Sequence, residues 1–194
     1  LNWFGNIGPD IYTKATFGLV ETMFGGYGAE VLYRPFSRNW AIGAEIWEVK
    51  QREYDMRFDF RDYETVTGFV NFYYKEPRTK LIAAIRGGKF LAGDSGFNFD
   101  ISRRFDSGFS VGVFFSKTDI SEQEFGEGSF DKGFYFQIPV DFFLGKYTKG
   151  NIGTGLRPLT RDGAAFLFND FSLFGVTEQG HKINLTRDWD DLYQ

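Results

Sequence analysis

Three stretches, FNFDI (97–101), FSVGVFF (109–115) and FYFQIPV (134–140), alternate apolar and polar side chains along the chain. A period of two places the two sets on opposite faces of a β-strand. Some eight stretches of this kind, each roughly 8–13 residues long, follow one another between residues 11 and 143. Strands of soluble proteins average about 5–6 residues, whereas a tilted strand needs about 9–11 residues to cross a bilayer. The pattern therefore predicts an all-β antiparallel meander that forms a transmembrane outer-membrane β-barrel, or part of a larger one.

The composition fits a membrane wall built from strands better than one built from helices. Phe, Tyr and Trp make up 20% of the 194 residues, a share that suits a lipid-facing surface with aromatic girdles. The mean hydropathy is −0.31 and no run of 18 apolar residues exists, which argues against a helical membrane span. The net charge of −4 and the scattered basic residues argue against nucleic acid as a partner. The absence of cysteine excludes disulfides and thiolate metal sites.

The links between the predicted strands differ in length. We predict one domain over residues 1–194, with strands at 11–23, 27–34, 40–51, 63–74 and 80–91, two more joined by the turn at 106–108, and one at 132–143. Long links at 52–62 and 119–131 follow the third and the seventh strand. Outer-membrane barrels keep short turns on the periplasmic side and longer loops outside, so we expect both long links to be extracellular. Residues 144–179 give no decisive pattern, and residues 180–190 read as a last strand.

Catalytic and metal-binding patterns are sparse. His181 is the one histidine, and without a second histidine or a cysteine it does not indicate a zinc site. It would have to serve as the base of any Ser-His-Asp triad, but the chain lacks the G-x-S-x-G turn. The acidic run EQEFGE (122–127) could bind calcium, although it lacks the spacing of a calcium loop and fits a solvated extracellular loop better. We therefore expect no cofactor, no metal and no enzymatic activity.

A more informative set of side chains lies on the polar face of the predicted strands. It mixes donors, acceptors and flat aromatic rings, and these groups line a wet lumen if the apolar face meets lipid. A sugar polymer offers hydroxyl groups and apolar ring faces, so the mixture suits passage through weak contacts spread over several sites. Ordinary salt-bridge packing inside a barrel would place the same residue types there. The predicted polysaccharide-contacting residues are Glu45, Trp47, Asn71, Tyr73, Arg86, Asp100 and Arg104.

Several longer runs carry a family resemblance. They are ETMFGGYGAEVLYRPFSRNWAIGAE (21–45), FRDYETVTG (60–68), LAGDSGFNFDISRRFDSG (91–108), EFGEGSFDKGFYFQIP (124–139) and RPLTRDGAAFL (157–167). These runs resemble the YjbH-type exopolysaccharide biosynthesis family and the related group 4 capsule outer-membrane proteins. Members of the family are much longer than this chain, so the resemblance implies that the chain is the C-terminal part of a larger protein. Many outer-membrane proteins end in an aromatic residue, whereas this chain ends in Gln194.

The resemblance implies a function in export. The family is associated with gene clusters that make and secrete polysaccharide. We therefore expect a barrel in the cell outer membrane, in contact with its lipid and with other export proteins, through which an exopolysaccharide or capsule polymer passes without covalent chemistry. Two alternatives remain open. One is a structural barrel that holds partner proteins and has no open pore, and the other is a membrane-embedded enzyme that modifies polysaccharide or lipid.

Overall fold

The chain forms one antiparallel β-sheet in a computed structural model. The structure describes residues 1–55, 57–105, 107–121, 130–144, 151–158, 163–169, 171–178 and 180–182. Ten strands lie in the sheet in chain order, each hydrogen-bonded to its neighbours in sequence. They are β1 (Asn2–Asn6), β2 (Ile11–Leu19), β3 (Phe24–Tyr33), β4 (Trp40–Arg52), β5 (Phe60–Lys75), β6 (Leu81–Lys89), β7 (Ser95–Arg104), β8 (Ser110–Thr118), β9 (Asp131–Pro139) and β10 (Asn151–Leu156). In the described part of the chain, the short helices α1 (Asp141–Leu144) and α2 (Leu173–Glu178) lie outside the sheet.

This meander confirms the predicted all-β antiparallel fold. Within the described residues the sheet is not closed, because β1 forms one edge and β10 forms the other. The longest strands are β5 with 16 residues and β4 with 13, both well above the average of about 5–6 for soluble strands. No helix in the described part of the chain is both long and apolar enough to cross a membrane.

The eight predicted strands correspond to β2–β9, and the sequence pattern misses both edge strands. β1 has only five residues, too few to display a period. In β10 the inward positions include Gly153 and Gly155, so the polar side chains that would mark one face are missing. β9 ends at Pro139 instead of residue 143, because the chain turns there into α1. Most of the predicted last strand, 180–190, lies outside the described residues.

Because consecutive strands run in opposite directions, the links alternate between the two ends of the sheet. The long links after β4 and after β8 lie at the same end, as the loop lengths predict. The link after β9 begins at the opposite end with residues 140–144, although the pattern predicts only short turns there. The acidic run 122–127 lies outside the described residues, so the calcium alternative stays a prediction.

The two faces of the sheet differ in polarity as the alternation predicts. Ile46 is 59% exposed on the apolar face, which we call the outer face, whereas its neighbour Trp47 is 2% exposed on the other, the inner face. Val113 is 54% exposed on the outer face, where the rings of Phe99 and Phe115 stack with centroids 4.7 Å apart. Other exposed apolar side chains of the outer face are Tyr27, Val31, Ile42, Val70, Phe72, Ile85, Ile101, Val111 and Phe134.

A C-terminal segment packs against the inner face. We call residues 163–181 the inner segment, and its described residues are 163–169, 171–178, 180 and 181. Its apolar side chains complete three buried clusters with the strands. Leu173 and Phe174 pack with Leu32 of β3, while Ala165 and Leu167 pack against the cluster that holds Trp47. Most of the described buried core therefore lies between the sheet and the inner segment.

Candidate functional site

The predicted polysaccharide-contacting residues form a connected patch at the centre of the inner face. Trp47 donates its indole N–H to Oε2 of Glu45 at 2.9 Å, and Asn71 on β5 donates to Oε1 of the same carboxylate at 3.1 Å. Asn71 is also paired in register with Arg86 on β6, and Tyr73 with Ala84, two positions from Arg86 on the same face. Five of the seven predicted residues are thus neighbours on three adjacent strands.

The hydrogen bonds continue toward the C-terminal strands. Arg86 donates to Oδ1 of Asn98 at 2.7 Å, and Asn98 donates to the hydroxyl of Ser116 on β8 at 2.9 Å. Asp100 lies on the same face of β7 and accepts the hydroxyl hydrogen of Tyr135 from β9, with oxygens 3.0 and 3.1 Å away. Sequence spacing does not reveal this pair, because the two residues are 35 positions apart.

Arg104 lies apart from the remainder of the predicted set. It occupies the last position of β7, opposite Ser110, and its side chain is exposed. Arg104 lies on the inner face, as predicted, and shares this face of β7 with Asp100. Its position at the end of the strand, however, separates it from the hydrogen bonds at the centre of the patch. The predicted patch therefore consists of a connected centre and one peripheral arginine.

The inner segment covers the part of the patch on β4 and β5. The ring of Tyr73 stacks on the ring of Phe174, with the two ring centroids 3.9 Å apart and an interplanar angle of 9°. Phe166 packs against the ring of Phe69 at 4.8 Å, and the Arg86 guanidinium lies 5.8 Å from the centre of the Phe166 ring. Trp47, Asn71 and Tyr73 are consequently at most 6% exposed. For those three residues, this burial is what ordinary packing inside a barrel, the alternative to contact with a polysaccharide, would produce.

Polar contacts fix the inner segment to β2 and β3. Lys14 forms an ion pair with Glu30 at 2.9 Å, with both side chains almost fully buried. The Lys14 ammonium also donates to Oδ1 of Asn169 at 3.0 Å and to the carbonyl of Phe171 at 2.9 Å. Glu30 accepts the backbone N–H of Leu173, the first residue of α2, at 2.8 Å. Each buried charge is thus hydrogen-bonded, which burial requires.

Glu178 at the end of α2 forms ion pairs with two cations, Lys75 and Arg34. Its carboxylate pairs with Lys75 at 2.7 Å and with Arg34 through a short hydrogen bond. Burial alone would raise the pKa of Glu178, but the hydrogen bonds and charges of Lys75 and Arg34 outweigh it and lower the pKa to about 2. Arg34 also donates to the carbonyl of Phe174 and to the hydroxyl of Thr177, both at 2.9 Å. The C-terminal end of α2 is therefore held by two cations of the sheet.

His181 is buried rather than exposed. Its Nε2 lies 3.4 Å from the carbonyl oxygen of Pro35, and its ring is 6.2 Å from that of Phe36. Burial, followed by the nearby positive charge of Arg34, lowers its pKa. Among the residues that the structure describes, no group of three or more His, Cys, Asp or Glu side chains is arranged to hold a metal ion.

The contacts of the inner segment are the functional feature that the sequence patterns do not predict. Residues 163–181 have no sustained period of two, and their polar contacts reach strands about 140–160 positions away, as with Lys14 and Arg34. The strands themselves do carry a sequence signal that another segment packs on the inner face. Lys14, Glu30 and Arg34 are charged residues at inner-face positions, and buried charges require partners from elsewhere in the fold.

Comparison with known proteins assigns the chain to a protein family. The family model described as "Exopolysaccharide biosynthesis protein YbjH" matches residues 1–179. The chain is 41% identical over 180 residues to the Escherichia coli (strain K12) protein named "Uncharacterized lipoprotein YjbH". The match covers 91% of this chain and 26% of the relative, so the chain spans about a quarter of that protein. No solved structure matches the chain. The family match over most of the chain, together with this identity, shows that the chain belongs to the YjbH exopolysaccharide biosynthesis family.

Proposed function

We propose that the chain is part of an outer-membrane β-barrel that takes part in the secretion of an exopolysaccharide or capsule polymer. The observation that supports this proposal is the contrast between the two faces of the sheet. Apolar side chains such as Ile46, Val70 and Val113 are more than half exposed on the outer face, while the inner face carries the charged and hydrogen-bonding groups. An apolar exterior and a polar interior are what a strand wall in lipid requires.

The open edges of the sheet agree with a larger barrel. A membrane sheet must pair the backbone groups of its edge strands, because hydrocarbon offers them no hydrogen bonds. β1 and β10 are the edges here, and the chain spans about a quarter of the relative named above. We propose that strands from the remainder of the full-length protein pair with these edges. The relative's name includes the word lipoprotein, which supports membrane association.

The route for the polymer follows from the same geometry. The proposed passage is passive, through a hydrated lumen with weak contacts, since conduction requires binding that the polymer can leave. On β4 and β5 the inner segment occupies the inner face, so the polymer could contact Trp47 and Tyr73 only after that segment moved. Asp100 and Arg104 on β7 lie beyond the described contacts of the inner segment with the sheet. Other export proteins are the proposed partners.

A pair of tryptophan substitutions tests the passage. Ser110 lies half-buried on the inner face and Val111 lies next to it on the outer face. In the full-length protein we expect Ser110→Trp to narrow the lumen and reduce extracellular polysaccharide per cell, while Val111→Trp, which adds an apolar ring toward lipid, leaves secretion unchanged. A heat-modifiability gel reports whether each variant is folded. Normal secretion by a folded Ser110→Trp variant would contradict passage along this face.

The packing of the inner segment favours a second candidate function. A barrel filled by its own chain could serve as a scaffold for other export proteins, with no open pore. Deletion of the whole protein would then reduce secretion, whereas Ser110→Trp would not. The enzymatic alternative is tested by alanine substitution of His181, Asp100 and Glu45. That alternative predicts that at least one folded variant secretes polymer with altered chemical composition, and wild-type composition in all three would reject a catalytic role for these residues.

A further inference from the structure

Aromatic side chains of the inner face lie flat across glycines of the neighbouring strand. A Cβ added at Gly133 would lie 2.7 Å from Cε1 of the Phe114 ring, and one added at Gly112 would lie 2.7 Å from Cε1 of the Tyr135 ring. Trp47 lies across Gly28 in the same way. A side chain at Gly112 would displace the Tyr135 ring from the strand, and one at Gly133 would meet both the Phe114 ring and the carbonyl oxygen of Leu156, 2.5 Å away.

These rings divide into two groups according to what packs on them. Trp47 is 2% exposed beneath the inner segment, whereas Phe114 and Tyr135 remain half-buried. The hydrogen bonds, ion pairs and ring contacts of the inner segment, for its described residues, fall on β2–β6, on the links beside them and on Arg157. Phe114 on β8 and Tyr135 on β9 therefore lie outside the described contacts of this segment.

The Tyr135 ring is held in place at both ends. Its Cα is paired in register with Gly112 on β8, and its hydroxyl reaches across β8 to the carboxylate of Asp100 on β7. On the other side, Gly155 of β10 is its register partner and adds no side chain beside the ring. The result is a flat ring fixed along the inner face, with one broad face directed away from the sheet.

Hydrogen-bonding groups surround this ring. Ser102 is paired with Gly112 across the β7–β8 ladder, and Ser110 is paired with Gln137 across the β8–β9 ladder. Gln137 is exposed, and the two serines are half-buried. All three side chains are uncharged, and the one carboxylate, that of Asp100, is already hydrogen-bonded to Tyr135.

We propose that Tyr135 and Phe114 form a stacking platform for a pyranose unit of a polysaccharide, with Asp100, Ser102, Ser110 and Gln137 contacting its hydroxyl groups. The negative face of an aromatic ring attracts the polarised C–H groups of a sugar face. Groups that donate and accept hydrogen bonds around the platform match the hydroxyl groups at the rim of the sugar. This inference rests on the proposed function. It places the contact between the protein and the polysaccharide on β7–β9, away from Trp47 and Tyr73, which the inner segment covers.

The test uses the full-length protein in detergent and measures binding by calorimetry. The probes are the exopolysaccharide purified from the producing cells and, as a defined pyranose chain, cellohexaose. We expect Tyr135→Ala to weaken binding of the exopolysaccharide about tenfold, as the loss of one ring contact implies. Phe136→Ala is the matched control, because this adjacent aromatic residue points to the outer face. It should bind as the wild type does.

Two further variants keep the test decisive if Tyr135→Ala fails to fold. Gly112→Ala lifts the ring from the sheet, and Tyr135→Phe keeps the ring but removes the hydroxyl that Asp100 holds. We expect weaker binding for both, with the larger loss for Gly112→Ala. Wild-type affinity in these folded variants, or a wild-type protein that binds neither probe, overturns the inference.

The secretion assay with Ser110→Trp separates the two proposals. Loss of binding in the Tyr135 variants together with normal secretion by Ser110→Trp would retain the platform and reject the lumen route. Unchanged binding together with reduced secretion would reject the platform alone.

Discussion

Replacement of Glu178 by glutamine should release the end of the inner segment from the sheet. The hydrogen bonds and charges of Lys75 and Arg34 lower the Glu178 pKa from 4.5 to about 2, despite burial that raises it. A shift of this size corresponds to roughly 3 kcal/mol in favour of the folded contact. Because the pKa is depressed, this stabilisation is fully present above pH 4.5 and is lost as the pH falls toward 2. Glu178→Gln should remove it at neutral pH and leave two cations facing a neutral amide.

Hydrogen exchange of the full-length protein measures this release. We expect the amides of 171–178 to exchange about a hundredfold faster in Glu178→Gln at pH 7, since each 1.4 kcal/mol corresponds to about a tenfold change. Amides of β7–β9 should be unaffected. The control is Glu76→Gln, because Glu76 lies in the turn after β5 and its carboxylate accepts the backbone N–H and the hydroxyl of Thr79 in that turn. Equal exchange of 171–178 in the wild type and Glu178→Gln would refute the assigned role of the ion pairs.

Further predictions concern the two faces and the orientation of the sheet. Val113→Arg places a charge on the outer face and should destabilise the membrane-inserted barrel by about 2–4 kcal/mol. Ser110→Arg on the inner face should destabilise it less. Equal heat-modifiability of both variants would mean that the outer face does not meet lipid. A cysteine at Asp59, in the link after β4, should react with an impermeant thiol reagent on intact cells, and a cysteine at Ser37, in the link after β3, should not. The reverse pattern would invert the predicted orientation.

The strands were predictable from sequence because burial imposes a local pattern on them. Ile46 and Trp47 are adjacent, so parity alone places them on opposite faces, where they are 59% and 2% exposed. The same parity places Glu45, Asn71 and Arg86 on one face, and antiparallel pairing makes them neighbours. The ion pair of Lys75 with Glu178, by contrast, joins residues 103 positions apart and leaves no periodic trace. What packs on a face is a tertiary property, which alternation along a strand does not encode.

The inner segment also explains why two halves of one polar face differ in function under our proposals. In the half on β2–β5, charged groups such as Lys14 and Glu30 are buried, and a buried charge without a partner is costly. Lys14 and Glu30 pair with each other, and the inner segment supplies their further hydrogen-bond partners, so removing it would leave this ion pair with fewer hydrogen bonds and would expose the rings of Phe69 and Tyr73. The half on β7–β9 satisfies its own main polar pair, Asp100 with Tyr135, within the sheet. Under our proposals that half can therefore remain open to a weakly held ligand, because this polar pair needs no partner from the segment that covers the other half.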